Sequence, residues 1–186
     1  MEKNSPNSFI SIDANSTSIA FAVWQNDLLE SYGKISWGGK TTYEKIYWAS
    51  RVVRAFFEEY KGFDTVVIEH TVMMNSPKTA ADLALVQGAI LGAMSTSGVT
   101  HIKATNPIAW QSFIKNGRLT TPEKQVIRNE NPGKSDAWYK NKEREFRKLR
   151  TIAFVSERYG KTVSDNDVAD AIGIGHYSIF NWEKLG

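Results

Sequence analysis

Two short apolar segments of this chain each end on a carboxylate. Residues 8–12 are followed directly by Asp13, and residues 65–68 are followed by Glu69. Short runs of this kind, rich in β-branched and aromatic residues, predict buried strands. The right-handed crossover rule places the second of these strands beside the first, and sites in open α/β sheets form where the carboxyl ends of strands meet. We therefore expect Asp13 and Glu69 to share one crevice.

The pattern around these strands predicts a single α/β domain over residues 1–186. Turn residues separate two further strands at 18–24 and 28–35, and the three strands together form an antiparallel meander. A short strand is also expected at 101–104. The chain is therefore expected to fold into a mixed sheet of three antiparallel strands followed by parallel strands, flanked by helices. Helices are expected over 42–60, 77–94, 107–115, 141–159 and 167–180.

Helical periodicity fades between residues 116 and 140, where Pro122, Pro132 and Gly133 interrupt the pattern. We interpret this stretch as an insertion or a mobile arm. It lies in the basic part of the chain, because residues 115–161 contain 13 Lys and Arg against 6 Asp and Glu, and the rest contains 10 against 14. This distribution favours a polyanionic partner on one face, although a solvated helix with internal ion pairs would have the same composition.

Composition excludes several other kinds of protein. The chain has no cysteine, which excludes a disulfide framework and a thiolate zinc site. It has no apolar run of about 18 residues, so we expect no membrane span. Its polar first residues lack the apolar core of a signal peptide. We expect a cytoplasmic protein.

Two further carboxylates open the last predicted helix. Asp167 and Asp170 are three residues apart and therefore lie on one helix face. If this helix docks at the crevice, four carboxylates converge, and they would raise one another's pKa and protonate unless cations balance them. Hard divalent ions prefer oxygen ligands, and pairs of them catalyse phosphodiester hydrolysis. We therefore predict two Mg²⁺ ions, or Mn²⁺ in their place, in one active site.

Each acid alone also has a simpler interpretation. Asp13 could cap a turn, Glu69 could be a strand-end charge in solvent, and Asp167 could belong to the first turn of its helix because of the helix dipole. Asp165 also lies at this helix start, and we assign it the capping role. The prediction of a metal site therefore depends on the four acids acting as a set.

The segments that contain these acids resemble the RuvC family of Holliday-junction resolvases. Residues 12–20 are similar to the family's first aspartate, turn and second strand. Residues 67–70, with 84–89, are similar to its glutamate strand and following helix, and residues 167–174 to its closing aspartate pair. The motifs occur in the family's order over about residues 8 to 180.

This resemblance implies an RNase H-like fold and a homodimer in which each protomer cuts one strand of a four-way DNA junction. It implies that the four acids are the catalytic residues and hold Mg²⁺ or Mn²⁺. Neither a small-molecule cofactor nor a membrane partner is expected. The family's dimer interface includes the helix after the glutamate, which is helix 77–94 here. Gly88 and Gly92 fit that role, and equally fit close helix-on-sheet packing within one protomer.

The chain departs from the family at several positions. Ala14 and Asn15 replace the usual Pro-Gly after the first aspartate, and Val72 stands where cellular members have a stacking aromatic. Met73 and Met74 could still insert apolar surface between bases. The stretch 118–140 is longer than in bacterial members. These changes resemble phage-encoded resolvases.

Contacts with DNA are expected mainly from the basic stretch, since Lys and Arg contacts to phosphates supply affinity. Trp138 and Tyr139 could stack on unpaired bases or anchor the arm to the body. Within the predicted helix 141–159, ion pairs could engage part of the set Lys142, Glu143, Glu145 and Lys148. His176 is expected to pack or lie on the surface, not to bind metal. The predicted DNA-binding residues are Lys115, Arg118, Lys124, Arg128, Lys142, Arg144, Arg147, Lys148, Met73 and Met74.

Other functions stay open at this point. An RNA or RNA/DNA nuclease of the same fold would use the same metals and acids. A non-catalytic protein could bind junctions without cutting them. An actin-like or sugar-kinase-like ATPase begins with a similar Asp-containing strand, but it needs a second half and a phosphate-binding glycine turn, which we do not find in this sequence.

Overall fold

The computed structural model describes residues 6–70 and 76–186. The strands in these ranges are β1 (Ser8–Ala14), β2 (Ser18–Gln25), β3 (Leu28–Ser36), β4 (Thr65–Glu69) and β5 (His101–Thr105). They form one sheet in the order β3-β2-β1-β4-β5. The first three strands are antiparallel, and β4 and β5 run parallel to β1. The expected mixed sheet, with the Glu69 strand beside the first strand, is confirmed.

The pairing register brings the two acidic strand ends level. Ile12 of β1 lies opposite Ile68 of β4, so Asp13 and Glu69 each follow a paired residue at the same edge of the sheet. On its other side Asp13 lies opposite Ala20 of β2. Residues that lie directly opposite each other project from the same face of a sheet. The register therefore places the two acids at one edge, with a small side chain beside Asp13.

Helices cover both faces of this sheet. In the described ranges they are α1 (Thr42–Glu59), α2 (Pro77–Thr96), α3 (Pro107–Phe113), α4 (Thr121–Glu130), α5 (Asp136–Tyr159) and α6 (Asn166–Phe180), with a short 3-10 helix at Trp182–Lys184. α1 begins at a capping box between Thr41 and Glu44. α5 ends at Gly160, whose φ of 62° belongs to the left-handed region that favours glycine. Over the same ranges, no helix combines the length and the apolar character that a membrane span needs.

The stretch 116–140 contains more helix than its sequence suggests. Pro122 lies in the first turn of α4, where a missing N–H leaves no hydrogen bond unmade, and Thr120 and Glu123 form a capping box there. Ser135 caps α5, which therefore begins at Asp136 and not near residue 141 as expected. Pro122 therefore lies at the start of a helix and does not interrupt one, contrary to the expectation from the sequence.

Tyr139 joins these two helices. Its side chain is buried with Leu119 and Ile127, and its hydroxyl donates to the backbone oxygen of Asn131 at 2.5 Å. These contacts all lie within the stretch 116–140, so Tyr139 packs inside the arm, and anchoring of the arm to the body stays a prediction.

Alternate side chains of β1 enter two separate cores. Ile10 and Ile12 pack in the core that α1 and α2 cover. Phe9 packs on the opposite face, in the core that contains most of α6. This alternation follows from the two-residue period of a strand and places α6 on the face toward which Asp13 projects, together with Trp110 of α3 and Val155 of α5.

α6 lies unusually close to the sheet. The Ser11 hydroxyl donates to the Ala171 backbone oxygen at 2.7 Å and accepts from the Trp24 indole N–H at 2.9 Å. A Cβ at Gly175 would lie 2.0 Å from Trp24 Nε1, so a larger residue would push the helix away. This close packing brings the first turns of α6 to the edge where Asp13 and Glu69 lie.

The outer face of α2 is exposed and combines the small residues Ala84, Gly88 and Gly92 with the exposed Leu85. A Cβ added at Gly88 or Gly92 would meet no atom of residues 6–70 and 76–186 within 4 Å. The interpretation that these glycines permit close packing within the protomer is therefore wrong. Their part in a dimer interface stays a prediction.

Candidate active site

The predicted acids converge at one edge of the sheet. Asp13 is positioned by β1, Glu69 by β4, and Asp167 and Asp170 by the first turns of α6. The charges of the other three acids all raise the pKa of Asp13, which means that the four carboxylates lie within electrostatic range of one another. The sequence prediction of one shared crevice therefore agrees with the geometry.

Burial and repulsion between like charges disfavour the ionised forms of Asp13 and Asp170. Burial raises the pKa of Asp13 well above its usual value, and repulsion from Glu69 and Asp170 adds to the rise. The pKa of Asp170 is raised to about 7, first by burial and then by repulsion from Glu69. Bound cations would relieve this repulsion, as protonation also does.

Glu69 has a specific hydrogen-bond partner. The indole N–H of the fully buried Trp110 donates to Glu69 Oε2 at 2.6 Å. Burial raises the pKa of Glu69, while this bond and the positive charge of Arg147 lower it. Trp110 thus favours the ionised carboxylate and fixes one of its oxygens.

Asp167 lies at the more exposed side of the cluster and is held by two donors. Lys34 Nζ lies 2.6 Å from Asp167 Oδ2, and Asn15 Nδ2 lies 3.4 Å from the same oxygen. Asp165 caps α6 as predicted, since its Oδ1 accepts from the backbone N–H of Asp167 and of Val168. Asp165 therefore shapes the helix start at which Asp167 stands.

Asn15 also explains one departure from the family pattern. Its Oδ1 accepts from the backbone N–H of Thr17 and of Ser18, both at 2.9 Å. An asparagine side chain that bonds backbone two residues ahead replaces a turn that Pro-Gly would otherwise make. The turn after Asp13 is thus closed by different chemistry.

The donor set consists of carboxylate oxygens, which fits a hard divalent cation. As the side chains are placed, no three Asp, Glu, His or Cys residues within 6–70 and 76–186 are close enough together to hold one metal ion. His176 is not among the acids: its Nδ1 lies 2.6 Å from the Tyr159 hydroxyl and its side chain is buried, in agreement with the expected packing role.

A pocket of about 170 Å³ opens beside Asp170. Its basic wall is formed by Arg144, Arg147 and Lys148, which recur at helical spacing on one face of α5. The rest of its lining is polar: Gln111, Asn116 and Thr151. Three of the predicted DNA-binding residues therefore lie directly beside the acidic cluster.

The polar groups of this pocket are partly engaged with one another. Asn116 Nδ2 donates to the Arg147 backbone oxygen and to Thr151 Oγ1, both at 2.8 Å, and Arg147 Nη2 donates to Gln111 Oε1. Within the part of the chain that the structure describes, Arg147 Nε and Asn116 Oδ1 are buried without a hydrogen-bond partner. One face of α5 thus combines the pocket's positive charges with a hydrogen-bonded network of Gln111, Asn116, Arg147 and Thr151.

Other predicted DNA contacts are partly neutralised by acidic neighbours. Three pairs are present: Lys124 with Glu143 at 3.6 Å, Arg128 with Asp136 at 3.3 Å, and Lys142 with Glu145 at 2.9 Å. Lys115 and Arg118 are exposed, and Lys115 has a left-handed φ of 60°. Met73 and Met74 lie outside the described residues.

Sequence reasoning missed Lys34 and Trp110. Lys34 lies opposite Ala20, which lies opposite Asp13, but only because a bulge between Val23 and Trp24 shifts the β2–β3 register by one residue. Counting back from the turn would have placed Gly33 opposite Ala20, so the turn is a misleading signal for Lys34. Trp110 had no signal, since its bond to Glu69 depends on how α3 docks.

The whole fold is that of RuvC-like Holliday-junction resolvases, as the resemblance implied. Thermus thermophilus RuvC in complex with a Holliday junction substrate is 14% identical, with 96% of each chain covered and a TM-score of 0.65. Another Thermus thermophilus RuvC structure is 14% identical, with 95% of each chain covered and a TM-score of 0.61. The yeast mitochondrial Holliday junction resolvase Ydc2 is 8% identical, over 95% of this chain and 82% of that one, with a TM-score of 0.50. No family model and no curated protein sequence matches the chain.

Proposed function

We propose that this chain is a structure-selective DNA endonuclease that resolves Holliday junctions and other branched DNA by metal-dependent phosphodiester hydrolysis. The main support is the convergence of four carboxylates beside a basic pocket, in a fold shared with a resolvase solved on a junction substrate. A site that combines demand for cations with donors for phosphate suits phosphodiester hydrolysis.

We assign the metal-binding role to Asp13, Glu69, Asp167 and Asp170, with Mg²⁺ or Mn²⁺ as the ions and two ions per site. Once bound, such ions activate the attacking water and stabilise charge on the leaving oxygen. The chain itself supplies the ionised carboxylates and their orientation. Trp110 orients Glu69, and the bond from Ser11 to the α6 backbone keeps Asp170 at the sheet edge.

The pocket beside Asp170 is proposed to receive the DNA backbone. Arg147 Nε offers a buried donor without a partner in the described chain, and Arg144 and Lys148 add positive charge. A phosphate in the pocket would be paired with these positive charges and lie next to the acidic cluster. The remaining basic residues and the arm at 116–140 would contact DNA farther from the cut, where their ion pairs with acidic neighbours can exchange for phosphates.

A four-way junction needs two coordinated cuts, and we propose that a homodimer supplies them. The exposed small-residue face of α2 lets another helix approach closely. Each protomer would then cut one strand.

The decisive experiment compares cleavage of a synthetic four-way junction, a flap, a plain duplex and an RNA/DNA hybrid in Mg²⁺. Wild-type protein should cut the junction fastest. Asp13→Asn, Glu69→Gln and Asp170→Asn should bind the junction with unchanged affinity and cut it at least a hundredfold more slowly. Asp64→Asn is the matched control, since it removes a carboxylate at the opposite end of β4, and it should cut normally.

Three outcomes would contradict this proposal or part of it. Full activity in the three variants would refute the metal site. Junction binding without cleavage in Mg²⁺ and in Mn²⁺ would indicate a non-catalytic junction-binding protein, and faster cleavage of the hybrid would indicate an RNA/DNA nuclease.

A further inference from the structure

Lys34 places a positive charge at the edge of the acidic cluster. It lies on β3, opposite Ala20, which in turn lies opposite Asp13 on the central strand. The three residues form one row across the sheet and project from the same face. Ala20 is small and fully buried in the core that contains α6. The register of the meander thus aims a lysine at the acids.

The contacts of this lysine are specific. Its Nζ lies 2.6 Å from Asp167 Oδ2 and 3.1 Å from Asp165 Oδ2. The side chains of Lys34 and Asp167 are each 28% exposed, so the pair is half-buried but open to solvent on one side. A lysine ammonium on a flexible stem can leave such a position without disturbing the backbone.

Asp165 and Asp167 differ in the other hydrogen bonds that their carboxylates make. Asp165 uses Oδ1 to cap α6 and offers Oδ2 to Lys34. Asp167 does not cap the helix. Its carboxylate, which the proposed function assigns to metal binding, accepts a hydrogen bond from Lys34. If a cation takes Asp167, Lys34 keeps its bond to Asp165. The lysine can therefore be displaced from one partner without becoming unpaired.

We propose that Lys34 is a positioning residue that holds Asp167 in the metal-free protein and competes with the divalent cation for its carboxylate. Lys34 thereby raises the metal concentration at which the site fills, because a cation must displace one charge and bind close to it. This inference rests on the proposed function only in taking Asp167 as a metal ligand.

The test is Mn²⁺ binding measured by calorimetry in the absence of DNA. Lys34→Met removes the charge and keeps most of the side-chain volume, and it should tighten Mn²⁺ binding on the order of tenfold, the size expected for removing one nearby charge in a hydrated site. Lys34→Arg should bind like the wild type. Lys61→Met, which removes an exposed lysine paired with Glu58, is the matched control and should have no effect.

A purely structural role would give a different result. If Lys34 only fastened α6 to the sheet, Lys34→Met would lower the melting temperature and leave Mn²⁺ affinity unchanged or weaker, and either affinity result overturns the inference. A second comparison uses the Asp167→Asn background, in which Lys34→Met should change Mn²⁺ affinity less than twofold. An undiminished tenfold effect there would show that Lys34 does not act through Asp167.

Failure of this inference is separable from failure of the proposed function. If neither wild-type nor Lys34→Met protein binds Mn²⁺, competition by Lys34 is refuted. Junction cleavage in Mg²⁺ is then the independent readout: cleavage would leave the endonuclease proposal intact, and its absence would remove both.

Discussion

Trp110 and Glu69 are joined by a 2.6 Å hydrogen bond from the indole N–H to a carboxylate oxygen, although 41 residues separate them. The same indole packs against α6, where a Cβ at Gly173 would lie 2.7 Å from its ring. One buried side chain therefore touches both Glu69 of β4 and the helix that holds Asp167 and Asp170. The relative placement of these elements depends on it.

Trp110→Phe should slow junction cleavage by about 10- to 100-fold, the range typical for residues that orient metal-binding groups. It should also raise the pKa of Glu69, because the lost bond favours the ionised form. The acid limb of the pH-rate profile should then move to higher pH. Rates measured from pH 5.5 to 9 check both effects, and an unchanged profile would contradict the orienting role.

Asp170 should make the metal-free protein less stable as the pH rises. Its folded pKa of about 7 lies above the unfolded value of 3.8, so the folded state binds more protons between those values and stability falls across that window. Asp170→Asn removes this pH-dependent contribution. The free energy of unfolding of the variant, relative to that of wild type, should therefore rise by roughly 2–3 kcal/mol between pH 5 and pH 8.

Urea unfolding in EDTA at both pH values checks that prediction. Wild type and Asp170→Asn should differ most at pH 8, and added Mn²⁺ should stabilise the wild type far more than the variant. If the difference between the two proteins does not change with pH, the folded protein does not raise the pKa of Asp170 and the prediction is wrong.

The positions of Asp13 and Glu69 can be predicted from the sequence because the ends of buried strands are visible in it and the handedness of crossover connections is fixed. A buried strand, a crossover helix and a second buried strand leave one placement for the two acids. Lys34 could not have been found by counting from the turn at Asn26 and Asp27, because a bulge between Val23 and Trp24 shifts the β2–β3 register by one residue. Without that shift, Gly33 and not Lys34 would lie opposite Ala20.

The partners of those acids could not be predicted in the same way. The contacts of Trp110 and of Asn116 depend on the docking of helices far away in sequence, and no local pattern encodes docking. The helices within 116–140 were missed for a different reason. Pro122 was interpreted as a breaker, whereas the capping box at Thr120 and Glu123 makes it a helix start. Reading the cap together with the proline would have predicted α4.

Gly175→Ala should destabilise the fold more than any other glycine-to-alanine change in the α6 region. The added methyl group would overlap Trp24 Nε1 and Ser11 Oγ, and overpacking of a rigid core costs roughly 3 kcal/mol. Gly38→Ala is the control, because a Cβ there meets no atom within 4 Å. Denaturant unfolding compares the two, and equal midpoints would mean that α6 does not need its close approach.

Gly88→Arg should separate the proposed dimer without unfolding the protomer. Gly88 is exposed and a Cβ there is unhindered, so the change is tolerated within one chain and obstructs only a second helix. Sedimentation velocity should show a dimer for wild type and a monomer for the variant, at equal melting temperature. Leu28→Arg, at an exposed leucine of β3, should stay dimeric. A monomeric wild type would refute the dimer.

Arg147 and Lys148 should matter more for DNA binding than Lys142, although all three are basic residues of α5. Arg147 and Lys148 line the pocket beside Asp170, whereas Lys142 is paired with Glu145 on the exposed side. Arg147→Gln and Lys148→Gln should each weaken junction binding and reduce the slope of log affinity against log salt by about one. Lys142→Gln should change the slope by less. Lys142 must break its ion pair with Glu145 before it contacts a phosphate, and this cost cancels part of the gain from the contact. Affinities from 50 to 200 mM salt check this ranking, and an equal loss for all three would place the DNA along the whole helix and not at the pocket.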